Sequence, residues 1–333
     1  MINIRYHIVS ITAVFLALGI GVALGSTFLD RATVDLLENR IGSAEDRIDD
    51  TNAENERLTS ELADADERDA SLIVLASEDL VSDHLTDVPL LVIAAPGVSE
   101  DGLDALSTVL ERTGADLAGT VRLDDKLALD EVDGDLAEDL GLSDPTGPEL
   151  RRVVDDALTE ALAAAGAPAE EEAVGPDADP QPSDGPDGTQ PAIISTLADR
   201  GFLDVVPGPA RAEDDPILER TGYRYVLVGA PDLDAAQNDV LLSLIDDEDV
   251  TLPAVTISAR VPEPADGGDE PAPGAVARIR EDGDLSTRYS TVDDADTFTG
   301  LLSTIYVLQQ IDAIDVGHYG QGDGATAILP PVP

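Results

Sequence analysis

The run Ile8–Leu24, IVSITAVFLALGIGVAL, contains no charged residue. Extended to Leu29, it reaches the ~20 residues that a helix needs to span a bilayer. No other feature restricts the chain as much, because such a segment has to sit in lipid or be removed. Arg5 precedes the run, whereas Asp30, Asp35 and Glu38 follow it, relieved by Arg31 and Arg40. Positive charge favours the cytoplasmic side. The expected topology is an N-terminus inside and the remainder outside, with lipid around residues 8–29. Removal as a signal peptide is the competing expectation, with Ala23-Leu24-Gly25 as a small-residue cleavage site. The run is longer than a usual signal core and its leading segment is poorly charged, which favours an uncleaved anchor. Ala17, Gly21 and Gly25 recur every four residues on one helix face, where small residues let two membrane helices approach closely.

A 4-3 spacing follows: Leu37, Ile41, Ala44, Ile48, Thr51, Asn55, Leu58, Leu62, Ala65, Asp69, Leu72 and Ala76. All but Thr51, Asn55 and Asp69 are apolar, and no proline interrupts them, which is the pattern of a coiled coil. The rod is roughly 60 Å long at ~1.5 Å per residue. With Ile41 at an a position, Asn55 is also at a, where a lone buried amide fixes a parallel, in-register homodimer at a cost in stability. Arg40 at g faces Glu45 at e of the partner favourably. Glu61 faces Asp66 unfavourably, and Asp69 in the seam loosens the far end. A single helix folded back on its own domain is the alternative.

The chain as a whole is strongly acidic. Its 69 acids against 19 bases give a formal net charge of -50, and Lys126 is the sole lysine. Such a charge repels itself unless salt screens it, which suits a saline medium. It also excludes nucleic acid as a partner, since phosphate needs a basic footprint. The chain has no cysteine, so disulfides, thiolate metal sites and cysteine nucleophiles are excluded. Aromatic residues make up 3% and tryptophan is absent, so the core has to be aliphatic.

Beyond the rod, strands and helices alternate. Pro89–Ala95, PLLVIAA, reads as a strand buried on both faces. After the Pro96-Gly97 turn, Ser99 caps a helix that runs to about Arg112, with Glu100 and Asp101 in its first turn. A strand near Gly119–Leu123 follows. A second unit repeats the order, with strand Tyr225–Val228, turn Gly229-Ala230-Pro231, helix Leu233–Ile245 and strand Ala254–Ser258. Helices are also expected over Glu149–Ala165, Ile193–Leu203 and Ala295–Ile311. The expected fold class is α/β: an anchor over 1–29, a stalk over 30–85 and a Rossmann-like parallel-sheet domain over 86–333. The Pro-, Gly- and acid-rich stretches 167–191 and 262–274 read as disordered insertions.

Catalytic signatures are lacking. There is no G-x-S-x-G elbow, P-loop, S-x-x-K or H-E-x-x-H, and the strand turns lack G-x-G-x-x-G, so an enzyme is not expected. The acidic cluster Asp130–Asp135 does not match an EF-hand loop and reads as a solvated face. Histidine occurs at His7, His84 and His318. His318 opens the tail His318-Tyr319-Gly320-Gln321-Gly322-Asp323-Gly324, whose glycines make a tight loop, either a structural turn or a ligand-binding loop.

The opening Ile4-Arg5-Tyr6-His7-Ile8-Val9-Ser10-Ile11, with Phe15-Leu16-Ala17-Leu18-Gly19 and Gly25-Ser26, resembles the start of the actinobacterial MctB-type copper transport family. The tail His318-Tyr319-Gly320 through Gly324-Ala325 is similar to that family's ending. The resemblance spans the chain, its middle in architecture alone. It implies a role in copper homeostasis, often placed at the outer membrane. Through related corynebacterial members it also implies a link to cell separation, by partners that control a cell-wall hydrolase. The residues sit awkwardly with direct transport. Copper favours thiolate, thioether or imidazole ligands, and here the one methionine is Met1. A copper site would have to use His318 and His84, completed by carboxylates. One membrane helix makes no pore, and the alternating ~10-residue strands of an outer-membrane barrel are not visible. The residues alone favour a non-enzymatic envelope scaffold presenting its coiled coil to a partner. No cofactor is expected, copper entering by resemblance alone.

Overall fold

The computed structural model of the chain describes residues 5–24, 41, 47–60, 82–168, 192–212, 215–230, 233–259, 273–313 and 315–331. Gly25, Leu37, Ala44, Leu62 and Leu72 lie outside them, as do most of the two expected insertions. The chain divides into two compact units, Met1–Glu67 and Arg68–Pro333.

In the first unit, Arg5–Leu24 is one helix, long and apolar enough to cross a membrane, with none of its surface buried by protein. Leu16, Phe15 and Val9 stand exposed. The hydroxyl of Thr12 donates to the Ile8 carbonyl at 2.8 Å, which satisfies it within the helix. A Cβ placed on Gly21 would meet nothing within 4 Å, so the face it shares with Ala17 is open. Residues 47–60 are also helical. Along them Ile48 and Leu58 are exposed, with Asn55 on the same stripe, and Ile41 is exposed further back.

The second unit is a mixed α/β domain on a seven-stranded sheet. Its strands are β1 (Pro89–Ala94), β2 (Asp116–Leu123), β3 (Leu203–Pro207), β4 (Arg224–Gly229), β5 (Ala254–Ser258), β6 (Ser290–Val292) and β7 (His318–Tyr319). Their order is β3-β2-β1-β4-β5-β6-β7. Every neighbouring pair is parallel except β2 with β3. The main helices are α1 (Glu100–Arg112), α2 (Gly134–Asp139), α3 (Gly147–Gly166), α4 (Ala192–Asp199), α5 (Ala235–Leu242), α6 (Ala275–Glu281), α7 (Leu285–Arg288) and α8 (Phe298–Gln310).

Strand alternation sorts the core into two layers. Leu90, Val92 and Ala94 of β1, with Val226, Val255 and Val292, meet Leu106 and Leu110 of α1 and Ile305 and Leu308 of α8. Leu91 and Ile93, with Tyr225 and Leu227, meet Leu150, Val154 and Leu158 of α3, Leu197 of α4 and Ile279 of α6. Helices therefore cover both faces, which is why β1 and β4 read as unbroken apolar runs.

Local signals set the helix ends. Ser99 accepts from the Gly102 amide at 3.3 Å and begins α1. Thr146 and Glu149 form a capping box that begins α3 with Pro148 in its first turn. Asp234 and Gln237 form another at α5, which is shorter than the expected 233–245. The helix expected over Ile193–Leu203 ends at Asp199 instead. The chain turns at Arg200-Gly201, and Leu203 begins the antiparallel edge strand β3. Strands β6 and β7 are additional to the sequence reading.

Candidate functional site

The tail that opens with His318 is densely bonded to the domain. α6 carries Arg280 to the end of β6, where the strand gives way to Asp293. The two form a 2.6 Å ion pair with side chains 4% and 8% exposed. A charge so far from water needs every donor and acceptor matched. The pair meets that demand by using the tail. Asp293 Oδ1 accepts from the Gln321 amide at 2.7 Å, and Oδ2 from the Gly322 amide at 3.0 Å. Arg280 donates from Nη2 to the Tyr319 carbonyl at 2.8 Å and from Nη1 to the Asp323 carbonyl at 3.0 Å.

The glycines follow from this crowding. Gly320 has φ +123°, and a Cβ there would fall inside the Asp293 carboxylate. A Cβ on Gly322 would come within 2.8 Å of Asp293 Oδ2. Gly324, at φ +77°, lies against the stem of Arg280. The loop is thus wrapped around an ion pair of its own domain.

His318 belongs to the same network. Arg280 Nε donates to Thr291 Oγ1 at 2.9 Å, and that oxygen lies 2.9 Å from His318 Nδ1. His318 Nε2 lies 3.1 Å from the Ser286 carbonyl, which can only accept. Nε2 therefore carries the proton, and Nδ1 accepts from the threonine hydroxyl. Burial, and then the nearby Arg280 charge, hold the imidazole pKa below its ordinary value. Both ring nitrogens are engaged within the protein. Tyr319 beside it is buried, which raises its phenol pKa.

His84 lies elsewhere. Its ring tilts against Tyr306 at 5.7 Å between centroids, and Nδ1 lies 3.4 Å from Gln309 Oε1, both on α8. The partners of His318 come from α7 and β6. The two histidines share no partner, and among the described residues no group of three or more His, Cys, Asp or Glu could hold a metal ion. The sequence missed Arg280, Thr291 and Asp293. The glycines of the tail were the one signal that something close had to be accommodated.

The strand order reverses direction between β1 and β4, and open α/β sheets place ligands in the crevice outside the carboxyl ends of such a pair. Here Gly97 turns there at φ +84°, with Gln237 Nε2 and Leu233 Cδ2 only 3.1 and 3.2 Å from where its Cβ would be. The Gln237 amide is itself held in the α5 capping box. Two of the domain's own side chains, Leu233 and Gln237, thus lie against the Gly97 turn at this point. Glu100 and Asp101, in the first turn of α1, further oppose an anionic ligand. An open groove of about 410 Å³ lies between α1 and β3. Its rim carries Glu100, Asp104 and Glu111, and Arg122 on it is paired with Glu100 and Asp204.

Comparison with known proteins places this architecture. Proteins named "Copper transporter MctB" from Mycobacterium tuberculosis and Mycobacterium bovis are each 27% identical over 334 residues, covering 98% of this chain and 99% of theirs. A protein of the same name from Mycobacterium leprae is 26% identical over 341 residues, covering 99% of this chain and 100% of its own. A family profile described as "Copper transport outer membrane protein, MctB" matches residues 1–330. Over nearly its whole length, then, the chain belongs to the MctB copper transport family.

Proposed function

We propose that this chain is a single-pass, membrane-anchored, non-enzymatic envelope protein of copper homeostasis that assembles and presents a surface instead of ligating the metal itself. The observation that carries the reading is the engagement of both His318 nitrogens by Thr291 and Ser286. Copper would be the cargo of the system to which the chain contributes, as the name of its relatives says of them. The N-terminus lies in the cytoplasm, residues 8–29 meet lipid, and the domain is exported. Open packing at Ala17 and Gly21, and the exposed stripe Ile41, Ile48, Asn55 and Leu58, support a parallel homodimer joined through membrane helix and coiled coil. The strand order, with helices on both faces, supports reading the domain as a Rossmann-like, doubly wound sheet.

The exposed stripe favours a second reading on the same architecture. The rod recruits or regulates an envelope partner, such as a cell-wall hydrolase acting in cell separation. One experiment weighs copper ligation against assembly. Cells lacking the chain are complemented with wild type, with His84→Phe/His318→Gln, or with Leu58→Asp/Leu62→Asp, and grown in graded copper. The histidine variant should restore copper tolerance and the rod variant should fail. The reverse pattern would reject the proposal. Copper tolerance unaffected by loss of the chain, with cells failing to separate, would favour the second reading.

A further inference from the structure

The last segment of the domain is bonded mainly to itself and to one ion pair. β7 is two residues long and pairs with β6. The His318 carbonyl accepts from the Thr326 and Ala327 amides at 2.7 and 3.3 Å, and the Gly320 amide donates to the Ala327 carbonyl at 3.0 Å. Residues 318–327 therefore close into a unit of their own. Beyond it, Ser303 Oγ donates to the Ile328 carbonyl and Gln310 Nε2 to the Pro331 carbonyl, laying the chain end along α8. Ile328 and Leu329 stay exposed, and the segment buries Tyr319 and Pro330. Its other ties to the domain run through Arg280, Asp293, Thr291, the Ser286 carbonyl and the backbone of β6.

This attachment differs in kind from that of β1 and β4, which lie between two apolar layers. A buried ion pair gains little net stability, because the cost of removing both charges from water offsets their attraction. Such a segment is specified by geometry but held modestly, and local openings of this kind occur well below global unfolding. We infer that residues 318–331 form a strap that opens and closes on the folded domain as one unit, with the Arg280–Asp293 pair as its latch. Opening returns both charges to water. It also frees the Asp293 amide, which now bonds the Tyr319 carbonyl.

Hydrogen exchange read by mass spectrometry on the full chain in detergent micelles tests this. The amides of Gly320, Gln321, Gly322, Thr326 and Ala327 should exchange together, at least ~100-fold faster than those of β1 and β4. Asp293→Asn should speed that group by a further ~100-fold and leave β1 and β4 unchanged. A chain ending at Val316 should retain wild-type protection in β1 and β4. Equal exchange of strap and β1 in wild type, or collapse of β1 and β4 protection in either variant, would overturn the inference.

Discussion

Gly320→Ala probes the packing around the latch most sharply. The glycine holds φ +123°, and a methyl group there would penetrate the Asp293 carboxylate. The carboxylate cannot retreat freely, because its other oxygen is held by Arg280 at 2.6 Å and by the Gly322 amide at 3.0 Å. Backbone strain in that region costs ~1–3 kcal/mol. Losing one hydrogen bond to a charged acceptor costs a further ~1.5–3 kcal/mol. The sum is about 2.5–6 kcal/mol, which at ~1.4 kcal/mol per tenfold is on the order of 100- to 10,000-fold. Gly222→Ala is the control, since Gly222 has φ +86° with no atom within 4 Å of its Cβ position. It should show conformational strain alone, ~1–2 kcal/mol. With an independent strap, the loss appears as faster exchange of the strap amides. Were the segment integral to the domain, circular dichroism would show melting lowered by ~5–24 °C. Gly320→Ala moving neither readout beyond Gly222→Ala would refute the crowding argument.

Three further outcomes follow. Because folding holds the His318 pKa below its ordinary value, the unfolded chain takes up a proton below about pH 6.5 that the folded domain refuses. This group's contribution is therefore full above that pH, falls as pH drops and levels off below the folded pKa; His318→Gln should flatten that part of the melting profile, and an unchanged profile would contradict it. With a net charge of -50, melting temperature should rise between ~0.1 M and ~1 M salt as repulsion is screened, and a flat or falling curve would remove the saline-medium reading. In the isolated segment 29–85, Asn55→Leu should raise the melting temperature while broadening the distribution of oligomers by sedimentation; a monomer at high concentration would sink the dimeric rod.

What could be read from the sequence divides by physical origin. PLLVIAA and AVTIS were legible as strands because both faces are covered, so burial writes a continuous apolar run. Ser99 with Glu100 and Asp101 announced α1, since capping is local chemistry. The expected helix runs on to Leu203 and β3 is missed, because LDVVP is short and half exposed and its antiparallel pairing with β2 is a long-range event. β6 is only Ser-Thr-Val, and nothing in three such residues marks a strand. The tail glycines were noticed, but their cause, Asp293, lies about thirty residues earlier and its partner Arg280 earlier still. No local motif links them. Leu233 and Gln237 from the second strand-helix unit likewise lie against Gly97, which spacing alone cannot reveal.

The central claim, that this member of a copper transport family does not itself ligate the metal through its histidines, is tested most directly by equilibrium copper titration. The full chain in detergent is titrated with Cu(I) and, separately, Cu(II) against a weak competing chelator, beside His84→Phe and His318→Gln. Loose, non-saturating uptake that the chelator removes and that neither substitution alters is the expected result. One tight site per chain, surviving competition and lost in His318→Gln, would contradict it.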